Sequence, residues 1–210
     1  FDMHGKTAGI IGTGKIAKIL IHILKGFGMN VLAYDLYPDY NFAREEQIVY
    51  TSLDELYHSS DIISLHCPLT EETKYLINDY SISKMKDGVM IINTGRGQLI
   101  HTNALIEGLK NKKIGSAGLD VYEEEGDLFY EDCSDEIVAD DTLVRLISMP
   151  NVIVTSHQAF LTKEALSNIA ATTVDNLLKF ERGEPSPDTE VCYHCERKET
   201  CRKARDQKCF

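Results

Sequence analysis

The 210-residue sequence contains no apolar run that approaches the roughly 20 residues needed by a membrane-spanning helix. Basic residues are in the minority, with 22 Lys and Arg against 33 Asp and Glu, and the formal net charge of −11 would repel the phosphates of a nucleic acid. The opening residues, FDMHGKTAG, lack the basic-then-apolar pattern of a secretory signal. We therefore expect a cytoplasmic protein whose main partner is neither a membrane nor nucleic acid.

Cysteine is scarce in most of the chain. Cys67 and Cys133 lie far apart, whereas four further cysteines crowd the last nineteen residues. A secreted protein stabilised by disulfides usually distributes its cysteines through a small domain. The distribution here predicts a globular body followed by a distinct tail.

Short runs of aliphatic and β-branched residues alternate with helical patterns along the body. The runs that predict strands lie at 7–12, 30–35, 47–52, 61–66, 88–94, 114–120 and 151–156. Most of them are apolar throughout, which is typical of strands buried on both faces of a parallel sheet. Because strands that alternate with helices form βαβ units, the pattern predicts an α/β fold with a doubly wound, Rossmann-type parallel sheet.

Helices are expected between these strands, at 52–59, 102–111 and 139–148. After the first strand, apolar residues at helical spacing predict the face by which a helix packs on the sheet: Ile16, Leu20, Ile23, Leu24 and Phe27. A long amphipathic helix over 162–182 follows the last strand. It either returns to the sheet or packs on another part of the protein, and the segment GEPSPD at 183–188 is typical of a linker.

The stretch GIIGTGKIAKIL at 9–20 has the composition of a strand, a glycine turn and a helix. Gly12 would permit the tight turn, Gly14 would let the backbone approach a pyrophosphate, and Ala17 takes the place of the third glycine, where helix meets strand. Phosphate oxygens would then meet the N–H groups at the helix start. Asp35 follows the second strand, where its carboxylate can bind ribose hydroxyls and would repel the 2′-phosphate of NADP. The combination predicts an NAD site.

Polar residues stand directly after most of the predicted strands, where ligands bind in open α/β sheets. They include the groups His66-Cys67-Pro68 and Thr94-Gly95-Arg96 and the single residues Asp120 and His157. Taken individually, these residues have structural alternatives. His157 could be a hydrogen-bonded loop residue, Arg96 could pair at a helix start, and Glu125 lies in an acidic run of a kind that is usually solvated.

Five segments, in this order, resemble the D-isomer-specific 2-hydroxyacid dehydrogenases: GIIGTGKIA, SLHCPLTEET, MIINTGRGQLI, GLDVYEEE and SHQAFLTKEAL. The resemblance covers about residues 1–184, and the segments DVYEEEGDLFYED and HQAFLT look most like the fermentative D-lactate dehydrogenases. It implies NAD-dependent interconversion of pyruvate and D-lactate, or of a similar pair of 2-oxo and D-2-hydroxy acids. It also implies a homo-oligomer for the full-length protein. The alternative is an NAD-sensing interaction module without turnover.

The resemblance implies a catalytic role for three residues. Arg96 would bind the substrate carboxylate, since its planar guanidinium matches a carboxylate with two hydrogen bonds. His157 would be the general acid that protonates the substrate oxygen as hydride arrives, and the base in the reverse direction. Glu125 would hydrogen-bond the imidazolium of His157.

The resemblance also implies which residues at the strand ends would contact the cofactor. Next to the glycine turn, Lys15 and Ile16 would contact the pyrophosphate, and Asp35 would bind the adenosine ribose. The remaining contacts would be Cys67, Pro68 and Thr73 on the adenine side, and Thr94, Gly95 and Asp120 at the nicotinamide end. The family often has Asn in place of Thr73 and usually Asp in place of His101, so we expect Thr102 to cap the following helix.

In this family, part of the substrate domain precedes the cofactor domain. The sequence therefore predicts an NAD-binding domain at 1–157, a C-terminal helix of the substrate domain at 158–184, and a linker with the cysteine-rich tail at 185–210. The N-terminal part of the substrate domain is not included, which suggests a fragment.

The tail contains Cys192, Cys195, Cys201 and Cys209. A pair of cysteines two residues apart can place both thiolates on one metal ion, and four thiolates suit structural zinc or an iron–sulfur cluster. The alternative interpretation is a disordered end with four free thiols. The spacing does not decide between them.

Overall fold

The buried aliphatic runs form the strands of one sheet in the computed structural model, which describes residues 1–124 and 140–184. The strands are β1 (Thr7–Ile11), β2 (Asn30–Tyr34), β3 (Val49–Tyr50), β4 (Ile62–Leu65), β5 (Val89–Asn93), β6 (Ile114–Leu119) and β7 (Val152–Val154). Their order is β3-β2-β1-β4-β5-β6-β7, and every neighbouring pair is parallel. The direction of winding reverses between β1 and β4. The predicted doubly wound sheet is confirmed.

In the described part of the chain, six helices connect consecutive strands as crossovers, and a seventh follows the last strand. They are α1 (Lys15–Gly26), α2 (Tyr40–Glu46), α3 (Leu53–Ser59), α4 (Asp79–Lys84), α5 (Thr102–Lys110), α6 (Asp141–Ser148) and α7 (Lys163–Glu181), with a short 3₁₀ turn at Gly97–Leu99. Sequence periodicity missed α2 and α4 because each is only about two turns long. Their start signals are nevertheless present, since Asp39 accepts from Phe42 N–H and Asn78 forms a capping box with Ser81.

The sheet carries a hydrophobic core on each face. Alternate residues of β5 show this, because Val89 and Ile91 belong to one cluster whereas Met90 and Ile92 pack against the other. The first cluster draws its helical residues from α3 to α6, and the second draws them from α1 and α2. This arrangement explains why the strand sequences are apolar throughout rather than alternating.

The predicted packing face of α1 is only partly right. Leu24 is buried and Leu20 packs against the second cluster as expected, but Ile16, Ile23 and Phe27 are each more than half exposed. The helix packs instead through Ala17, Ile21 and Leu24. Apolar residues occur on both sides of this helix, so spacing alone could not select the buried side. The small Ala17, fully buried where the helix leaves the glycine turn, lets this side approach the sheet closely.

The start of α5 also differs from the expectation. The predicted cap, Thr102, is wrong: the N-cap is His101, whose Nδ1 accepts from Ala104 N–H at 3.4 Å. Thr102 is the first helical residue, and its own N–H donates to Glu123 at 3.0 Å. A ring nitrogen of His101 therefore accepts the hydrogen bond at the start of this helix.

The described contacts divide into two units, Phe1–Ala159 and a second unit that begins at Phe160. The helix α7 belongs to the second unit and has no buried residue. Its apolar residues at helical spacing, among them Leu166, Ile169 and Leu177, are exposed. No helix in the described part of the chain is both long and apolar enough to cross a membrane.

The packing of α1 can be tested with two isoleucines of the same helix. Ile21→Ala should lower the free energy of unfolding by about 2–5 kcal/mol, because it removes a fully buried side chain and leaves a cavity. Ile19→Ala should change it by less than about 0.5 kcal/mol, because Ile19 is 65% exposed. Urea denaturation followed by circular dichroism measures both values. Equal losses would contradict the observed helix face.

Candidate functional site

The carboxyl ends of six strands lie in one register across the sheet. Backbone pairing connects Tyr34 to Ile11, Ile11 to Leu65, Leu65 to Asn93, Asn93 to Leu119 and Leu119 to Val154. The residues that follow this row are therefore neighbours along one edge. They are Gly12, Asp35, His66, Thr94, Asp120 and Thr155. The sheet thus brings the predicted strand-end residues together.

The glycine turn lies at the switch point between β1 and β4. Gly12 has a φ of +89°, and a Cβ at this position would lie 2.5 Å from the backbone nitrogen of Cys67. Gly14 is the N-cap of α1, and no atom lies within 4 Å of its Cβ position. Lys15 and Ile16 follow as exposed residues of the first helical turn. The turn therefore offers open space in front of a helix N-terminus, which suits a phosphate group.

Asp35 lies beside the glycine turn and is held by backbone and side-chain donors. Its Oδ2 accepts from Thr13 N–H at 2.6 Å and from Thr13 Oγ1 at 2.9 Å, and its Oδ1 accepts from Tyr37 N–H at 2.9 Å. Partial burial raises the pKa of Asp35, but these donors outweigh that effect and the net pKa is lowered. The Asp35 carboxylate is therefore charged at neutral pH. Lys18, on α1, is paired with Asp39 at 2.6 Å.

The segment after β4 contains the residues predicted for the adenine side. Cys67 is half-buried, and burial raises the pKa of its thiol to about 11, so it is protonated at neutral pH. Pro68 is exposed. The Thr73 hydroxyl donates to the carbonyl of Pro68 at 2.7 Å and closes the loop on itself. His66 lies 2.8 Å from Ser64 Oγ, and burial lowers its pKa.

Sequence reasoning missed Asn93, which shapes the segment after β5. Its side chain is fully buried, accepts from Gly95 N–H at 3.0 Å and donates to the Arg96 carbonyl at 2.9 Å. Thr94 and Arg96 are exposed on the turn that this amide holds. The available signal was an amide residue at the end of an otherwise apolar strand. The Arg96 guanidinium donates to the Gly95 carbonyl at 2.9 Å.

Asp120 holds the segment that carries His157. Asp120 is 5% exposed as a residue, and its carboxylate accepts from Thr155 Oγ1 at 2.5 Å, Gln158 N–H at 2.8 Å and Ala159 N–H at 2.8 Å. Burial raises the pKa of Asp120, but the hydrogen bonds from these donors lower it by more, so the net pKa is below its ordinary value. His157 itself has a φ of +53°, and its N–H donates to the Asp120 carbonyl at 2.8 Å.

Several predicted residues lie outside the described residues. They are Glu125 and the tail cysteines Cys192, Cys195, Cys201 and Cys209. Within residues 1–124 and 140–184, no group of three or more His, Cys, Asp or Glu side chains is placed to hold a metal ion. The assignments of Glu125 and of the tail therefore stay predictions.

Comparison with known proteins adds to this geometry. Residues 1–159 match the family model described as D-isomer specific 2-hydroxyacid dehydrogenase, NAD binding domain. The D-lactate dehydrogenase of Escherichia coli strain K12 is 54% identical over 188 residues, which are 90% of this chain and 57% of that protein. This chain thus spans just over half the length of that relative.

Two solved structures are similar to the chain. The pyruvate reductase of Chlamydomonas reinhardtii is 46% identical with a TM-score of 0.84, and the match covers 88% of this chain and 56% of that one. An NAD-complexed D-isomer specific 2-hydroxyacid dehydrogenase from Lactobacillus delbrueckii ssp. bulgaricus is 30% identical with a TM-score of 0.81. That match covers 89% of this chain and 56% of the other.

The clamp formed by Asp120 can be tested by hydrogen exchange. Asp120→Ala should speed exchange at the amides of Gln158 and Ala159 by about tenfold or more, because each loses a charge-assisted hydrogen bond. Asp87→Ala, which removes an exposed carboxylate, should leave both amides unchanged. Amide-resolved exchange followed by NMR measures these rates. Unchanged exchange at both amides in Asp120→Ala would contradict the clamp.

Proposed function

Because this chain belongs to the D-isomer specific 2-hydroxyacid dehydrogenase family, we propose that residues 1–159 bind NAD along the strand ends. The whole protein would interconvert a 2-oxo acid and a D-2-hydroxy acid, with pyruvate and D-lactate as the pair. The observation that carries this proposal is the common register of the strand ends, which places the glycine turn, Asp35, Asp120 and the His157 segment on one edge. The similarity to a pyruvate reductase and to D-lactate dehydrogenases supports the substrate pair.

The residues present fit a dinucleotide in its extended form. The open space at Gly14 and the start of α1, with Lys15 and Ile16, would accept the pyrophosphate. Asp35 would accept a ribose hydroxyl, and its charge would disfavour a 2′-phosphate. The adenine would lie against Cys67, Pro68 and Thr73, and the nicotinamide against Thr94, Gly95 and Asp120.

The nicotinamide supplies the hydride for reduction of the 2-oxo acid and accepts it in the reverse direction. Arg96 lies exposed after β5, where its guanidinium would bind the substrate carboxylate and orient the carbonyl. His157 would donate a proton to the carbonyl oxygen in reduction and remove it in oxidation. Glu125 would support His157. The clamp of Asp120 on residues 155–159 would hold the His157 backbone in its left-handed conformation.

The cofactor assignment can be tested on this chain at Asp35. Asp35→Ala should weaken NADH binding by about tenfold, because a charge-assisted hydrogen bond is lost, and NADPH should weaken less because repulsion is relieved. Isothermal titration calorimetry with both dinucleotides measures the two affinities, and Asp87→Ala is the control with an exposed carboxylate. A wild-type chain that prefers NADPH would contradict the assignment.

The catalytic assignment can be tested in the whole protein at His157. His157→Ala should lower kcat for pyruvate reduction by about a hundredfold or more, the usual effect of losing a general acid, with NADH affinity nearly unchanged. His58→Ala, which removes an exposed histidine at the end of α3, is the matched control. A near-normal kcat would remove His157 from the mechanism. Wild-type protein that binds NADH without reducing any 2-oxo acid would instead favour an NAD-sensing module.

A further inference from the structure

A series of hydrogen bonds links β3, the outermost strand of the sheet, to the Asp35 carboxylate that follows β2. The backbone N–H of Asp39 donates to Tyr50 Oη at 3.2 Å, and the Tyr50 hydroxyl donates to Thr13 Oγ1 at 2.8 Å. Thr13 Oγ1 donates in turn to Asp35 Oδ2 at 2.9 Å. The series therefore connects β3, the glycine turn and the residue that follows β2.

The hydroxyl protons in this series of hydrogen bonds can be arranged in only one direction, toward Asp35. An ionised carboxylate has acceptors alone, so Thr13 must give its single hydroxyl proton to Asp35. The Thr13 oxygen is then left to accept, and Tyr50 supplies the proton that it accepts. The Tyr50 oxygen accepts from the backbone N–H of Asp39. Every donor in the series is thus committed toward Asp35.

These hydrogen bonds determine which oxygen of Asp35 can still accept a hydrogen bond from a ligand. Oδ2 receives two donors from Thr13, which saturate an oxygen with two lone pairs. Oδ1 receives the N–H of Tyr37 and retains capacity for a further donor. Thr13 is 6% exposed, so water has little access to replace the Tyr50 hydroxyl. The Tyr50 hydroxyl thus supplies the proton that the Thr13 oxygen accepts while the Thr13 hydroxyl donates to Asp35.

From this geometry we infer that Tyr50 is a positioning residue for dinucleotide specificity. Acting through Thr13, its hydroxyl keeps Oδ1 of Asp35 directed to a ribose 2′-hydroxyl, and thereby favours NADH over NADPH. The inference rests on the proposed function, because it takes Asp35 as the ribose ligand. In this inference Tyr50 does not contact the dinucleotide. It acts on the affinity for the dinucleotide through two hydrogen bonds, from Tyr50 to Thr13 and from Thr13 to Asp35.

The framework around Tyr50 suits a fixed donor. Tyr50 pairs with Ala33 in the parallel ladder between β2 and β3, which places it beside the strand that leads to Asp35. Its ring packs edge-on against Tyr40, with ring centroids 5.8 Å apart. Backbone pairing and ring contact therefore hold the hydroxyl in place before any ligand binds.

The test is titration of the full 210-residue chain with NADH and with NADPH by isothermal calorimetry. Tyr50→Phe keeps the ring and removes the hydroxyl, and it should raise the Kd for NADH about fivefold, the effect of one lost hydrogen bond. The Kd for NADPH should stay within about twofold. A purely structural effect would weaken both dinucleotides in parallel, so the ratio of the two Kd values distinguishes positioning from loss of structure.

Variants at Thr13 and at the neighbouring Tyr40 supply the controls. Tyr40→Phe removes the hydroxyl of the neighbouring exposed tyrosine and should leave both affinities unchanged. Thr13→Val should shift the ratio as Tyr50→Phe does, whereas Thr13→Ser, which keeps the hydroxyl, should preserve the wild-type ratio. The double variant Tyr50→Phe/Thr13→Val should be no weaker than Thr13→Val alone, because both changes break the same series of hydrogen bonds.

Each outcome bears on a different statement. A wild-type chain that binds NADH, combined with an unchanged NADH-to-NADPH ratio in Tyr50→Phe, overturns the role of Tyr50 and leaves the proposed function intact. A wild-type chain that binds neither dinucleotide overturns both. Should Tyr50→Phe fail to fold, as seen by circular dichroism, the Thr13→Val and Thr13→Ser pair decides. Equal ratios in those two variants would then contradict the inference.

Discussion

Backbone hydrogen bonding between parallel strands requires neighbouring strands to share a register, and here that register aligns six strand ends in one row. Side chains that are far apart in sequence become neighbours because each follows the last paired residue of its strand. The reversal of winding between β1 and β4 opens space at this edge. Gly12 belongs to this constraint, because its missing Cβ allows the turn to lie against the backbone of Cys67.

Two carboxylates on this edge are stabilised in the same way. Asp35 and Asp120 are each partly withdrawn from water, which disfavours their charge, and each accepts backbone N–H groups that restore it. In both cases the donors include backbone N–H groups from a segment that follows a neighbouring strand. Asp35 fixes Thr13 in the glycine turn, and Asp120 fixes the segment around His157.

The described part of the chain divides into two compact units, and the strand-end residues all lie in the first of them. The first unit, Phe1–Ala159, contains the residues that we assign to NAD, together with Arg96 and His157. The second unit begins at Phe160 and includes α7, whose apolar side chains are exposed. Relatives of the family are almost twice as long as the matched region.

The sequence by itself determined the parallel sheet, the glycine turn with Asp35 and the polar residues at the strand ends. These features follow from local sequence patterns, such as apolar runs, the spacing of glycines after a strand and the position of a polar residue directly after a strand. Tertiary structure alone decided which side of α1 is buried, how Asn93 holds its turn, and that Tyr50 reaches Thr13. Thr13 and Tyr50 are 37 residues apart, and Asp120 and Thr155 are 35 apart. Periodicity within one element carries no information about such pairs, because they meet through the order and register in which the strands assemble.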